Sequence, residues 1–490
     1  METFQTILFL LVFVVMALSM FFRKIPALLA LPLMAFLFPL IGGVSLNDTL
    51  QLVIGQGALR LHRAYTVMLF GSMLSILMQK TKVAENLIKK GAELSGDNPW
   101  IISVMMLFLI SLLFTTLGGL GAIIMVATIV LPIMTSVGVG PLTVVGVFLF
   151  GLSIGGILNA GNWAVYVDVL KLPVGQIRSF ALIMFALTFV TGLVYITIQL
   201  YQDGHNLNFK KIITNSVVFV VVVMAFIMLY QFLGLGQNPA FQNFLSGFVT
   251  FLKTAIGVIL IALFLFNVLR IFFKKKEEKS IHWSAFLSPV LPLFLILLYD
   301  IDFIAAFICG LVYALVATWK KGSLNVFLKS ILEGGAVVMP ALVLMLGIGM
   351  LLNAIIGPGA EWNAANPEGW PVLNVLKPFI MAITPKNPLQ YVLIFTLAAP
   401  LALYRGPLNV WGMGYGIAAV FLASGMPAGA VMGVLLSVGQ VQGISDPTNT
   451  HNVWLANEMQ QNVQKVLWNT LPYTWGVAVV GLTVASLIFY

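Results

Sequence analysis

The chain has 490 residues, is 60% hydrophobic and carries charge on only 8% of its positions, against about 25% in a soluble globular domain. With a mean hydropathy of +1.04 and uncharged apolar runs such as 7–22 and 212–232, this composition excludes a soluble enzyme and describes a multi-pass membrane protein. The net charge of +9 is a topology signal and not a nucleic-acid footprint, because the cations cluster between apolar runs.

Apolar runs predict spans near 5–22, 25–44 and 64–79. The first lacks a basic leading segment and a small-residue cleavage site, and Arg23-Lys24 follows it, so a retained helix is expected. VAENLIKKGAELSG from Val83 places Glu85 and Lys89 four apart, as in a helix lying on the membrane surface. Residues 99–136 form two apolar arms around Gly118, Gly119 and Gly121. A span near 141–158 is broken by LNAGN, and another follows near 177–200. The insert 201–283 predicts two spans, near 212–234 and 244–273. Then come 284–299, 301–318, 337–356, a polar loop to about residue 372, arms 388–404 and 408–424, a span at 427–443 broken by SDPTNTHN, and 467–490. Cys309 stands alone, so no intrachain disulfide forms.

The order of these features repeats. SLNDTLQLVIGQGALRLHRAYTVMLFGSMLSILM from Ser45 returns as SLNVFLKSILEGGAVVMPALVLMLGIGMLLNAII from Ser323. Asn98-Pro99 returns as Asn387-Pro388, and VVGVFLFGLSIGGILNAGN from Val144 as VMGVLLSVGQVQGISDPTN from Val431. An odd number of crossings before the second unit sets it in the opposite sense. The expected fold is all-α and polytopic, with about 12 transmembrane helices in two inverted repeats, 1–200 and 284–490. Each unit is expected to hold a re-entrant hairpin (about 99–136 and 388–424) and a broken helix (about 141–170 and 427–457). Setting Arg270, Lys274, Lys275, Lys276 and Lys279 inside brings Arg23, Lys24, Lys80, Lys82, Lys89, Lys90, Lys210, Lys211, Lys320 and Lys321 inside too. Arg60 and Arg63 go against this trend, falling outside or in the interface.

VAENLIKKG followed by GGLGAIIMVATIVLPIM, and GISDPTNTHNVWLANEM followed by Lys465 and Trp468, resemble the ion transporter superfamily. This is the clan of gluconate, citrate, C4-dicarboxylate and related anion permeases. The resemblance covers most of the chain outside the insert. It implies a secondary active transporter of the inner membrane that moves a small organic anion, a carboxylate or hydroxycarboxylate, with H⁺ or Na⁺ by alternating access. It further implies the lipid bilayer as solvent, no cofactor, no nucleic-acid partner, and frame helices that carry an oligomer interface, as in a homodimer.

Polar residues at membrane depth are functional by default. Arg405, between two apolar arms, suits bidentate recognition of a carboxylate, with Gly406 and Asn409 adding donors. Gly118, Gly119 and Gly121 form the uncharged counterpart. The densest polar cluster is 445–452, where Asp446 aligns with Asn159 and Asn449 with Asn162. The substrate is therefore expected at Arg405, Gly406, Asn409, Gly119, Gly121, Asn159, Asn162, Thr448 and Asn449, and the coupling ion at Asp446, Thr450, His451 and Asn452. A Na⁺ would lie near Gly118, Asn159 and Asp446. Structural alternatives exist for each: close helix packing for the glycines, snorkelling or an internal ion pair for Arg405, and turn formation for Asp446 and the asparagines. Asp168 is either a titrating group or a loop acid facing water; Asp300 and Asp302 mark an external turn; Glu333 is a minor candidate for buried proton coupling. His62, His205 and His282 show no metal-ligand spacing, and no P-loop, Cys-x-x-Cys or G-x-S-x-G pattern points to an enzyme. A cation/proton antiporter on the same architecture would exchange at Asp446 and have no need of Arg405.

Overall fold

Asparagine, serine and proline start many of the helices, and glycine, proline and π turns bend them, in the computed structural model of the chain. It describes residues 2–22, 24–206, 214, 238–273, 281–359, 362, 366–410 and 414–490. The span expected near 212–234 and the cations Arg23, Lys210, Lys211, Lys274, Lys275, Lys276 and Lys279 fall outside them, residue 214 excepted. All regular structure among the described residues is helical.

Helix α1 (Glu2–Phe21) packs on α2 (Ala27–Ile41), with Phe9 edge-on to Phe38 at 5.4 Å. Next, α3 (Leu46–Lys80) runs for 35 residues. Ser45 caps it by accepting from the Asp48 N–H, a π turn occupies Thr49–Gly55, and it kinks at Leu61, where φ is −105° and ψ 28°. The amphipathic α4 (Val83–Ser95) carries a 2.7 Å Glu85–Lys89 ion pair, and that bond holds the Glu85 carboxyl below its usual range.

Helices α5 (Pro99–Phe114) and α6 (Leu120–Ser136) are the arms of a hairpin turning at 115–119. Helices α7 (Pro141–Ile157) and α8 (Ala160–Leu170) meet at a 49° bend, and α9 (Val174–Gln202) returns across the molecule. The starts of α5 and α7 both lie beside the end of α9. Trp100 Nε1 donates to the Thr197 hydroxyl at 3.1 Å, and Asp203 accepts from the Gly140 N–H and the Thr143 hydroxyl at 2.9 and 2.7 Å. The hairpin turn therefore reaches the α7–α8 break with the whole of α8 still to run beyond it.

Past the insert, α10 (Pro239–Phe273) has Asn267 as its one buried described residue. It is held where Ser284 donates to Asn267 Oδ1 and Tyr313 donates to the Ser284 carbonyl, both at 2.8 Å. Helices α11 (Leu291–Tyr299), α12 (Phe303–Ala317), α13 (Ser323–Ile356) and α14 (Pro371–Ile383) follow. A second hairpin comprises α15 (Pro388–Ala398), a 3₁₀ turn over Ala399–Arg405, and α16 (Tyr415–Ala423). Then α17 (Ala428–Gln440) ends in a π turn over Val441–Ser445 and is followed by α18 (Thr450–Glu458) and α19 (Val463–Phe489).

The core joins the two halves through α3 and α13, which run antiparallel. A Cβ on Gly57 would stand 2.8 Å from Met350 Cα, and one on Gly334 2.6 Å from Met73 Cα, so contacts near the start of one helix fall near the end of the other. Small residues allow this approach. Hydrogen bonds seal it: Ser72 to the Gly334 carbonyl at 2.8 Å and Asn353 Nδ2 to the Leu52 carbonyl at 2.9 Å.

Among the described residues six helices are long and apolar enough to cross a membrane, or seven with the bent pair α7–α8 as one span. This is fewer than the 12 or so expected. The α2 and α12 runs have only 15 helical residues each, short of the roughly 20 a straight crossing needs, while α5 and α6, with 16 and 17, were expected as hairpin arms and not as crossings. The structure also bears on two acids. Glu333 is 52% exposed and pairs with Lys80 at 2.8 Å, so it is a surface ion pair and not a buried proton site. Asp168 is 6% exposed and accepts from the Ala64 N–H, so it does not face water.

Candidate functional site

Each hairpin turn is tied to the break of the helix that follows it. In the first half Asn159 does this with both ends of its amide. Its Oδ1 accepts from the Gly161 N–H at 2.9 Å and caps α8, while its Nδ2 donates to the Phe114 carbonyl at 3.2 Å, at the end of α5. In the second half Asp446 occupies the aligned position and is 0% exposed. Its Oδ1 accepts from the Tyr404 N–H, the Thr448 N–H and the Thr448 hydroxyl at 2.9, 2.9 and 2.7 Å, and its Oδ2 from Asn409 Nδ2 at 3.1 Å. The residue types follow from what each turn presents. Phe114 offers a carbonyl and needs a donor, which an amide supplies; Tyr404 and Asn409 offer N–H groups and need acceptors, which a carboxylate supplies.

The breaks are linked to each other. The Ser153 hydroxyl donates to Gln440 Oε1 at 2.8 Å, and a Cβ on Gly443 would stand 2.8 Å from the Ser153 oxygen. Gln442 Oε1 accepts from the Val410 N–H at 2.7 Å, holding the far limb of the second turn. Asn162 Nδ2 donates to the Gly156 carbonyl at 2.8 Å, and Asn449 Nδ2 to the Gln442 carbonyl at 2.7 Å. Since both partners are carbonyls, the amide nitrogens must face them, leaving both Oδ1 atoms without a donor among the described residues. The first turn, the first break and the middles of α3 and α13 are level: Gly161 packs on Met68, and Gly119 on Val337.

Arg405 sits at the apex of the second turn. It is exposed, and no hydrogen bond or ion pair to its side chain is found among the described residues. Tyr404 and Arg405 both have left-handed backbones, φ 55° and 56°. Such a conformation costs about 1–2 kcal/mol per non-glycine residue. The Asp446 bonds to Tyr404 and Asn409 offset that strain and fix the apex. Gly406 is there for space: a Cβ would meet the Leu401 carbonyl oxygen at 2.1 Å. Gly118 and Gly121 have nothing within 4 Å of an added Cβ, so they border open space and not a helix contact.

The remaining residues divide. Thr448 is consumed by Asp446, and Thr450 is exposed. His451 Nε2 lies 3.4 Å from the Gly443 carbonyl. Asn452 is 1% exposed; its Nδ2 donates to the Ile444 carbonyl at 3.0 Å while its Oδ1 is buried without a partner. No group of three or more His, Cys, Asp or Glu able to hold a metal occurs among the described residues. Ser153, Gln440, Gln442 and Tyr404 were not anticipated. The first two were findable, because they align with each other in the repeat and both interrupt apolar runs.

The fold is similar to the crystal structure of the Alcanivorax borkumensis YdaH transporter, described as having an unusual topology. The match has 12% sequence identity and a TM-score of 0.51, and it covers 90% of this chain and 88% of that one. At that identity the likeness is one of fold. No protein-family model and no curated protein matches the chain.

Proposed function

We propose that the protein is a secondary active transporter of the inner membrane, working by alternating access on two inverted repeats. Its substrate is a small organic anion, a carboxylate or hydroxycarboxylate, moved with H⁺ or Na⁺. The observation that carries the reading is Arg405: an exposed guanidinium without a protein partner among the described residues, at the apex of a turn held by a buried carboxylate. An unpaired planar donor fork at that place suits a carboxylate. The antiparallel α3–α13 packing and the paired turn–break bonds support inverted repeats, and the hairpin turns ending level with the breaks support re-entrant hairpins.

In this reading Arg405 and the open first turn at Gly118, Gly119 and Gly121 face the anion, and the Asn162 and Asn449 oxygens accept from its hydroxyls. Asp446 is a positioning residue. Its carboxylate is committed to four donors, which leaves His451 and Asn452 as the coupling-ion group and disfavours an antiporter exchanging at Asp446. The test is uptake into proteoliposomes of a panel of carboxylates under imposed H⁺ or Na⁺ gradients. Arg405→Ala is expected to abolish anion uptake and Arg405→Lys to restore only part of it. Cation exchange that proceeds without any carboxylate and survives Arg405→Ala would overturn the proposal.

A further inference from the structure

The charge count left Arg60 and Arg63 on the sparsely charged side of the protein, and the structure adds a third cation beside them. Helix α8 leads from the Asn159 break to Lys171, which ends it in a left-handed conformation, φ 56°. Its last turn packs on the kink of α3, where Asp168 Oδ2 accepts from the Ala64 N–H at 3.3 Å. This brings Lys171 to the stretch that carries Arg60 and Arg63. Among the described residues the charges there do not cancel: Asp168 is the one acid at the junction and makes no ion pair. Arg63 and Lys171 have no hydrogen-bonding or ion-pairing side-chain partner among them. Arg60 donates to Asn353 Oδ1 and, at 3.2 Å, to the Gly357 carbonyl, while its Nε is buried without an acceptor. Burial first, and then Arg60, hold the Lys171 ammonium below its usual range.

Position matters as much as charge. Arg63 lies just after the kink of α3, about 25 Å along the helix from Lys80 at 1.5 Å per residue. Against a slab about 30 Å thick, that separation sets the cluster toward the side away from Lys80, Lys82, Lys89 and Lys90, against the usual bias of membrane proteins toward a single cationic face. Met68, level with the first break, is about 8 Å along α3 from Arg63. Three cations beside one acid among the described residues, this close to the break, concentrate anions there.

We infer that Arg63 and Lys171, backed by Arg60, form an entry site that collects the anionic substrate from this face before it reaches Arg405. The inference rests on the anion-transport reading. Arg60 also ties α3 to α13, so the test spares it.

The experiment measures uptake of a transported carboxylate in vesicles of known protein orientation, for wild type and for Arg63→Gln/Lys171→Asn; asparagine tolerates the left-handed backbone. Expected is a KM increase of about tenfold at low ionic strength, vanishing at high salt, with Vmax and detergent melting temperature unchanged. The increase should occur only when substrate is offered from the cationic face. A wild-type KM and salt dependence in the variant overturns the entry site. So does a KM effect seen only in vesicles of anionic lipid, which would assign the cations to phospholipid headgroups. A wild-type protein that moves no carboxylate would instead sink the transport reading, a result visible before any variant is made.

Discussion

Ser153 and Gln440 hydrogen-bond to each other at 2.8 Å and stand 287 positions apart, the separation that aligns Asn159 with Asp446. The contact therefore joins the two broken helices at aligned positions. It is part-buried and lies within the site, between the two breaks.

Removing either side chain should therefore be felt through the other. Ser153→Ala and Gln440→Ala are each expected to destabilise by about 1 kcal/mol. The double variant should lose less than the sum, with coupling of about 0.5 kcal/mol or more. Melting temperatures in detergent check this; strict additivity would mean that the bond contributes nothing.

Asp446→Asn should be far more harmful than its size suggests. The amide would turn a donor toward Tyr404 N–H or Asn409 Nδ2, leaving buried donors facing one another at a cost of about 1–3 kcal/mol. The left-handed apex would lose its clamp. Expected are a loss of transport greater than tenfold and new reactivity of a cysteine placed at Leu408 toward a polar thiol reagent. Wild-type uptake by this variant would refute the positioning role.

Glycines at the α3–α13 crossing and at the first turn should respond oppositely to alanine. Gly57→Ala and Gly334→Ala push a methyl against backbone and are expected to cost about 1–3 kcal/mol, lowering the melting temperature. Gly118→Ala and Gly121→Ala meet nothing within 4 Å and should leave the melting temperature unchanged while altering substrate KM.

Glu333→Gln should leave the pH profile of transport as it is. Glu333 and Lys80 form an exposed pair, and such pairs contribute about 0–1 kcal/mol. A shifted pH optimum would return Glu333 to the coupling path.

Much of the helical character was legible because apolar runs and start signals are local. Asn98 and Asn387 each cap the helix that begins at the following proline, and Glu85 with Lys89 marks α4. What stayed hidden depends on contacts made far along the chain. The π turns at Thr49–Gly55 and Val441–Ser445 have no sequence signal of their own. Span length was less legible: α2 and α12 keep only 15 helical residues each within longer apolar runs. At the site, the polar break around Asp446 was visible as a cluster, but not which of its members would be consumed by the protein. That Asp446 spends its oxygens on Tyr404, Thr448 and Asn409 follows from a turn 42 residues earlier, which no spacing rule reaches.

Helix α10 has a consequence for the lipid itself. Thirty-five residues make a rod of about 52 Å, against a hydrocarbon slab about 30 Å thick. Among its described residues only Asn267 is buried, with Tyr299 also donating to its Lys253 carbonyl, and a rod longer than the slab must lean, run past it or thicken it, each at a modest energetic cost. Bilayers of longer or shorter acyl chains would thus tilt this rod to different degrees, making it a gauge of membrane thickness attached to the second half of the protein.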